Sequence, residues 1–204
     1  MDVTWRQVTR WRAAAQLLTA PERDPVGVAR RLGGIHAQVA SSSVGIAAVR
    51  GADGVDAALA DRTLVRTWAM RGTLHLLPAD ELGLWCAALT DRESRRRFPP
   101  SWERAHGVDG DTLHAITAAI GRVLGPEPLT RTELVARVVE DLGRPEIAEP
   151  MATSWGALLK PAAAQGFLCS GPEGTFVSPG PLEQPDTAVA NQEVLLRFLR
   201  ANGP

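Results

Sequence analysis

Residues 33–43, Gly-Gly-Ile-His-Ala-Gln-Val-Ala-Ser-Ser-Ser, place His36 two positions from Gln38 in a chain that has only four histidines. The pair has a chemistry available to it. An imidazole accepts a proton from water near neutral pH; a carboxamide does not, but it can hydrogen-bond the same water and hold it in place. Both side chains reach one water only if they point the same way. Residues at i and i+2 do so on extended backbone, whereas on a helix they diverge by about 200°. The elements on either side of the triplet therefore decide whether the chemistry is available.

Those elements are legible. Residues 4–18 have a capping Thr4 and apolar positions at Val8, Trp11, Ala15 and Leu18, the spacing of a first helix. Asp24 caps a second short helix with Pro25 at its first position, and the paired glycines Gly33 and Gly34 end it. His36 to Gln38 then fall in a connector expected to be non-helical, with small Ala37 facing the opposite way into packing. A new helix is expected from the serines through Val44-Gly-Ile-Ala-Ala, and another over residues 55–60. In Leu64-Val-Arg-Thr-Trp68 and Thr73-Leu-His-Leu-Leu77 apolar and polar residues largely alternate, which predicts two strands of a hairpin at about residues 63–77. Helices followed by a hairpin is the winged-helix order.

The order repeats. Residues 109–125 read as a helix with apolar Leu113, Ile116, Ile120, Val123 and Leu124, and Thr130 with Glu133 forms a capping box for the next. Residues 151–168 supply a candidate recognition helix that Pro161 must bend or restart. Residues 166–177 then predict a second hairpin. The expected fold is mainly α with small β-hairpin wings: a first winged-helix unit with a following helix over residues 1–105, a second unit over 106–180, and a linker and further helix over 181–204. That last helix has an apolar face at Val194, Leu195, Phe198 and Leu199. It either docks back on the second unit or opens a third.

Composition narrows the function. The 45% hydrophobic and 22% charged content is that of an ordinary globular protein, and no apolar run is long enough to cross a bilayer, so membrane insertion is not expected. The N-terminus carries tryptophans and arginines where an export signal would be apolar, which leads us to expect a cytoplasmic protein. A net charge of −1 argues against a uniformly basic nucleic-acid binder, although the positive charge is nearly all arginine and Lys160 is the only lysine. Cys86 and Cys169 sit in apolar segments without partners at ligand spacing and read as buried thiols, so no metal is expected.

Two stretches together, Leu32-Gly-Gly-Ile-His-Ala-Gln-Val-Ala-Ser-Ser-Ser43 and the segment from Leu64 to Leu82, resemble the AlkZ/YcaQ-type winged-helix DNA glycosylases, and the likeness extends over essentially the whole chain. The resemblance implies three tandem winged-helix units followed by a β-barrel, of which this sequence reaches the opening helix of the third. It implies a monomeric enzyme without a cofactor acting on double-stranded DNA that contains an alkylated purine, in the service of repair or of self-resistance to a genotoxin. The family's catalytic motif is a glutamine, an aliphatic residue and a glutamine or aspartate, which holds water beside the anomeric carbon of the damaged nucleotide. His36, Ala37 and Gln38 occupy those positions, with histidine replacing the first glutamine. An N7-alkylpurine leaves from an already cationic base, so the enzyme needs a positioned water more than an acid.

Other residues keep two readings. His36 and Gln38, taken alone, also fit a connector that caps the preceding helix. Arg71, Thr73 and His75 share one strand parity and present donors to phosphate or line the site; alternatively the hairpin fills the core and its arginines are solvated. Arg95 and Arg96, in a local run with Arg92 and Arg97, form a solvated helix face or a phosphate contact. Ser41 and Ser42 begin a helix whose free N–H groups suit a phosphate. The alternative function is a non-catalytic winged-helix DNA-binding or regulatory protein, with a protein-interaction module behind it.

Overall fold

The computed structural model describes residues 2–203. Helix α1 (Trp5–Ala15) starts at a reciprocal capping box, in which the Thr4 hydroxyl accepts from the Gln7 amide and the Gln7 carboxamide oxygen accepts from the Thr4 amide. It stops three residues short of the expected Leu18, where Leu17 takes a left-handed φ of 59°. Of the expected apolar stripe only Ala15 is buried, and Trp11 and Leu18 remain about half exposed.

Helix α2 (Pro25–Leu32) begins as its sequence dictates: the Asp24 carboxylate accepts from the amides of Val26 and Gly27, and Pro25 occupies the first turn. Gly33 ends the helix at φ 70°. Gly34, at φ 107°, turns the chain so tightly that a β-carbon there would press on Leu77 and Met70.

The next residues are a strand, β1 (Ile35–His36), where the sequence suggested only a connector. Helices α3 (Ala40–Ala48) and α4 (Val55–Ala60) follow, then strands β2 (Leu64–Trp68) and β3 (Leu74–Pro78). The three strands form one antiparallel sheet in the order β1-β3-β2, with Ile35 opposite Leu76 and His75 opposite both His36 and Thr67. Val28 and Ala29 of α2 pack with Ile35, Ala37, Leu64 and Leu76 as the core of the first unit. Helix α5 (Leu82–Ser94), reached through a short 3-10 turn at Ala79–Glu81, contributes Leu82, Trp85 and Cys86 to a cluster with Leu77 and Ala69.

Helix α6 (Pro100–His106) was not foreseen, although Pro100 at its start and left-handed Gly107 at its end are ordinary boundary residues. Its Trp102, with Phe98, packs against the core of the second unit. That unit has α7 (Gly110–Val123) capped by Asp109, and α8 (Arg131–Leu142) opened by the expected Thr130–Glu133 capping box. The single recognition helix expected over residues 151–168 is instead two short helices, α9 (Ala148–Thr153) and α10 (Lys160–Ala164). Trp155 (φ 48°) and Gly156 (φ 94°) separate them, so the helix is interrupted before Pro161 restarts it.

Strands β4 (Cys169–Ser170) and β5 (Phe176–Val177) close this unit as a second wing, and Phe176 also pairs with Leu129 ahead of α8. The architecture is mainly helical with small antiparallel hairpins, in tandem winged-helix order.

Helix α11 (Thr187–Asn202) lies along α5, α2 and α1, thus on the first unit and not on the second. Glu81, itself buried, joins these elements: its carboxylate accepts from Arg30 of α2 at 2.5 Å and from Arg197 of α11. Leu195 and Phe198 of α11 stay more than half exposed. Among the described residues no helix is long and apolar enough to cross a membrane.

Candidate active site

The triplet sits at the edge of the first sheet. His36 and Gln38 are exposed and Ala37 between them is fully buried, the alternation that extended backbone produces. Three contacts from neighbouring strands hold the segment. The Ala37 amide donates to the Leu74 carbonyl at 2.8 Å. The Leu74 amide donates to the side-chain oxygen of Gln38 at 3.2 Å, so the carboxamide continues the ladder where the backbone of β1 leaves it. Arg66 reaches across from β2 to donate to the Ala37 carbonyl at 3.1 Å.

Gln38 is thereby oriented but not saturated. Its oxygen retains a second lone pair and its NH2 group two donors.

His75 stands behind His36, with ring centroids 5.4 Å apart and planes at 81°. It was expected on a donor face with Arg71 and Thr73, but at 5% exposure it cannot serve as a surface donor. Its Nδ1 donates to the Thr73 carbonyl at 2.9 Å, which fixes the neutral tautomer with the free lone pair on Nε2. Burial holds the imidazole below its ordinary range; the Thr73 bond opposes this, and the nearby charges of His36 and Arg71 add to the lowering.

A buried imidazole of this kind makes stability depend on pH. Below the ordinary value of 6.5 the unfolded chain takes up a proton that folded His75 refuses. Stability is expected to be full above that pH and to decline as the pH falls through it toward the lowered folded value. Urea unfolding from pH 7.5 to 5 should show the decline, and His75→Asn, which keeps a donor for Thr73 but does not titrate, should flatten that part of the curve.

The remaining expected residues divide. Arg71 is not on the strand: it occupies the 3-10 turn Met70–Gly72 at φ 58°, exposed, and Thr73 is spent on the Met70 carbonyl within the same turn. Ser41 and Ser42 are exposed in the first turn of α3, whose N-cap Val39 supplies no side-chain cap. Arg95 pairs with Asp91 at 2.8 Å. Arg96 pairs with Glu93 at 3.0 Å and lies over the rings of Phe98 and Trp102. The triplet, His75 and the Arg71 turn thus come together; Arg95 and Arg96 follow the end of α5, where Arg96 lines a cleft with Arg71.

Sequence reasoning missed Arg66, treated there as solvated. A signal was present: Arg66 shares strand parity with Leu64 and Trp68, and an arginine among large apolar residues of one face must find an acceptor.

Comparison with known proteins identifies the family. The chain is 37% identical over 222 aligned residues to the interstrand DNA cross-link repair glycosylase of Streptomyces sahachiroi, covering all of this chain and 58% of that protein. The solved structure of the Streptomyces sahachiroi DNA glycosylase AlkZ superposes on it with a TM-score of 0.89 at 36% identity, again over the full chain and 58% of the relative. The chain therefore spans a little over half the length of the relatives it matches. The model of the DNA glycosylase AlkZ-like family matches residues 29–204, the span that holds both wings, α11 and the His36–Gln38 edge, and the chain belongs to that family.

Proposed function

We propose that the protein is a monofunctional DNA glycosylase that hydrolyses the N-glycosidic bond of N-alkylated purine nucleotides, N7-alkylated or cross-linked, in double-stranded DNA. The observation that carries the reading is the joint presentation of His36 and Gln38 at an open sheet edge, on a backbone fixed from β2 and β3. The name of the Streptomyces sahachiroi relative gives DNA as substrate and a cross-link as the lesion for that protein, and the proposal extends both to this chain.

In the reaction, water held by His36 and Gln38 adds through its oxygen to the anomeric carbon. The N-glycosidic electron pair departs with the alkylpurine, which leaves neutral because alkylation had made it cationic, and the water proton passes to the imidazole. An abasic site remains. The residues present need no carboxylate for this, since the leaving group is already activated. The protein acts as a cytoplasmic monomer, and protection of the cell from its own genotoxin is a role that fits a cross-link lesion.

The test is release of free base from a duplex carrying a single N7-alkylguanine, followed by chromatography, with alkali cleavage to locate the abasic site. Release at the lesion supports the proposal. Tight, salt-dependent binding without release would overturn it in favour of a DNA-binding or regulatory protein.

A further inference from the structure

A cleft of about 290 Å³ opens at the Arg71 turn, lined by Arg71, Gly72, Arg92, Arg96 and Lys160 together with Trp68. Its cations come from three separate stretches: the β2–β3 turn, the end of α5 with the residues just after it, and the first residue of α10 in the other winged-helix unit. The chain's single lysine is therefore placed where the two units meet. Gly72, at φ 69°, lies against it: a β-carbon there would stand 3.5 Å from the Lys160 ammonium, in ordinary contact.

Four cations face one carboxylate, Glu93, which Arg96 already engages. Arg71, Arg92 and Lys160 make no ion pair among the described residues, so the cleft carries uncompensated positive charge. Like charges drawn together without a partner cost free energy, and an anion removes that cost.

The cleft is close to the triplet. Gly72 lies three residues from His75 along nearly extended chain, roughly 10 Å at about 3.3 Å per residue, and His75 touches His36. A few nucleotide steps, at about 3.4 Å each along a strand, cover that distance.

We propose that this cleft is a phosphate-binding site that seats a backbone phosphate of DNA beside the nucleotide presented to His36 and Gln38, with Arg71, Arg92 and Lys160 as its donors. The assignment rests on the glycosylase reading only for DNA as the polyanion. It gives the two winged-helix units one shared ligand, because Lys160 reaches it from the second and Arg71 and Arg92 from the first.

The experiment measures duplex affinity against salt for the full chain and for Lys160→Gln, Arg92→Gln and Lys160→Arg, with thermal midpoints to verify folding. Each Gln variant is expected to weaken binding about tenfold at low salt for any sequence and to reduce the log–log salt slope by about one, while Lys160→Arg restores the slope. Unchanged slopes in both folded Gln variants would overturn the proposal. Inorganic phosphate, matched in ionic strength by sodium chloride, provides a second arm. If phosphate raises the midpoint of the parent and not of Lys160→Gln while the DNA slope stays the same, the cleft holds a free anion and the DNA assignment is wrong. Base release is read separately. Loss of the slope in a protein that releases no base sinks the glycosylase and leaves the cleft; normal release with intact slopes does the reverse.

Discussion

Alanine at both His36 and Gln38 is expected to lower release of alkylated base by about 10²- to 10⁴-fold, the range that positioned acid–base groups contribute. The protein should stay folded. Both side chains are exposed, and the cost of losing the bond from the Leu74 amide to Gln38 is about 1 kcal/mol. The single variants separate two roles. Gln38→Ala removes a residue that finishes the β1–β3 ladder and that the proposal gives to water, so it should perturb backbone at residues 37–39 and slow the reaction together. His36→Gln replaces the imidazole by the residue with which the family's motif begins, and keeps an acceptor for water. It is expected to retain activity within about tenfold of the parent, whereas His36→Phe, which preserves the edge contact with His75 but offers water no hydrogen-bond acceptor, should fall with the double variant. Single-turnover rates on one N7-alkylguanine duplex measure all four. Equal rates for parent and double variant would remove the site from the chemistry.

Substitution of Gly83 is the largest structural perturbation we expect. Gly83 lies in the first turn of α5, against the main chain of Glu183 in the segment leading to α11, and even a methyl there would overlap the Glu183 carbonyl. Backbone cannot swing aside as a flexible side chain does. Gly83→Ala must therefore lift residues 182–184 from α5, and with them the start of α11 and the contact of Leu182 with the Leu77, Trp85 and Cys86 cluster. A loss of about 3 kcal/mol is expected, at the upper end of overpacking penalties, measured as a shift of the urea midpoint at constant slope. Faster proteolysis within residues 179–186 should accompany it. A variant as stable as the parent would show that this segment is not held against α5.

The contrast between the two winged-helix units explains what was readable. Capping residues were: Thr4, Asp24 and Thr130 each satisfy orphan amides at helix starts, and this local chemistry needs no knowledge of the rest of the chain. Strand alternation located β2 and β3 for the same reason. The two-residue strand β1 was not readable, because so short a segment has no period of its own and exists only by pairing with β3. Its counterpart in the second unit is a single bridge at Leu129, after which Thr130 caps α8 at once. In the first unit three residues, Ala37 to Val39, intervene between strand and helix, and this longer connection carries half of the site. Of the two readings for His75, a phosphate donor or a residue lining the site, burial removes the first, because strand parity gives a face but not which face another element covers. The interruption at Trp155 and Gly156 was missed because Pro161 drew the expected break to itself, although Gly156 owes its place to the ring of Trp68, on which a β-carbon would collide.

The two cysteines have a meaning beyond packing once the proposed substrate is considered. Burial pushes the Cys86 thiol up to about 12 and the Cys169 thiol up to about 11, so near pH 7 only about one molecule in 10⁵ and one in 10⁴ carries the respective thiolate, the form that attacks electrophiles. Among amines the side chains offer one lysine, Lys160, and it stands in a cleft crowded with guanidinium groups. A reagent able to alkylate guanine in DNA finds both thiols of this protein buried and protonated. The two thiols are thereby shielded from the class of compound whose damage the protein would remove.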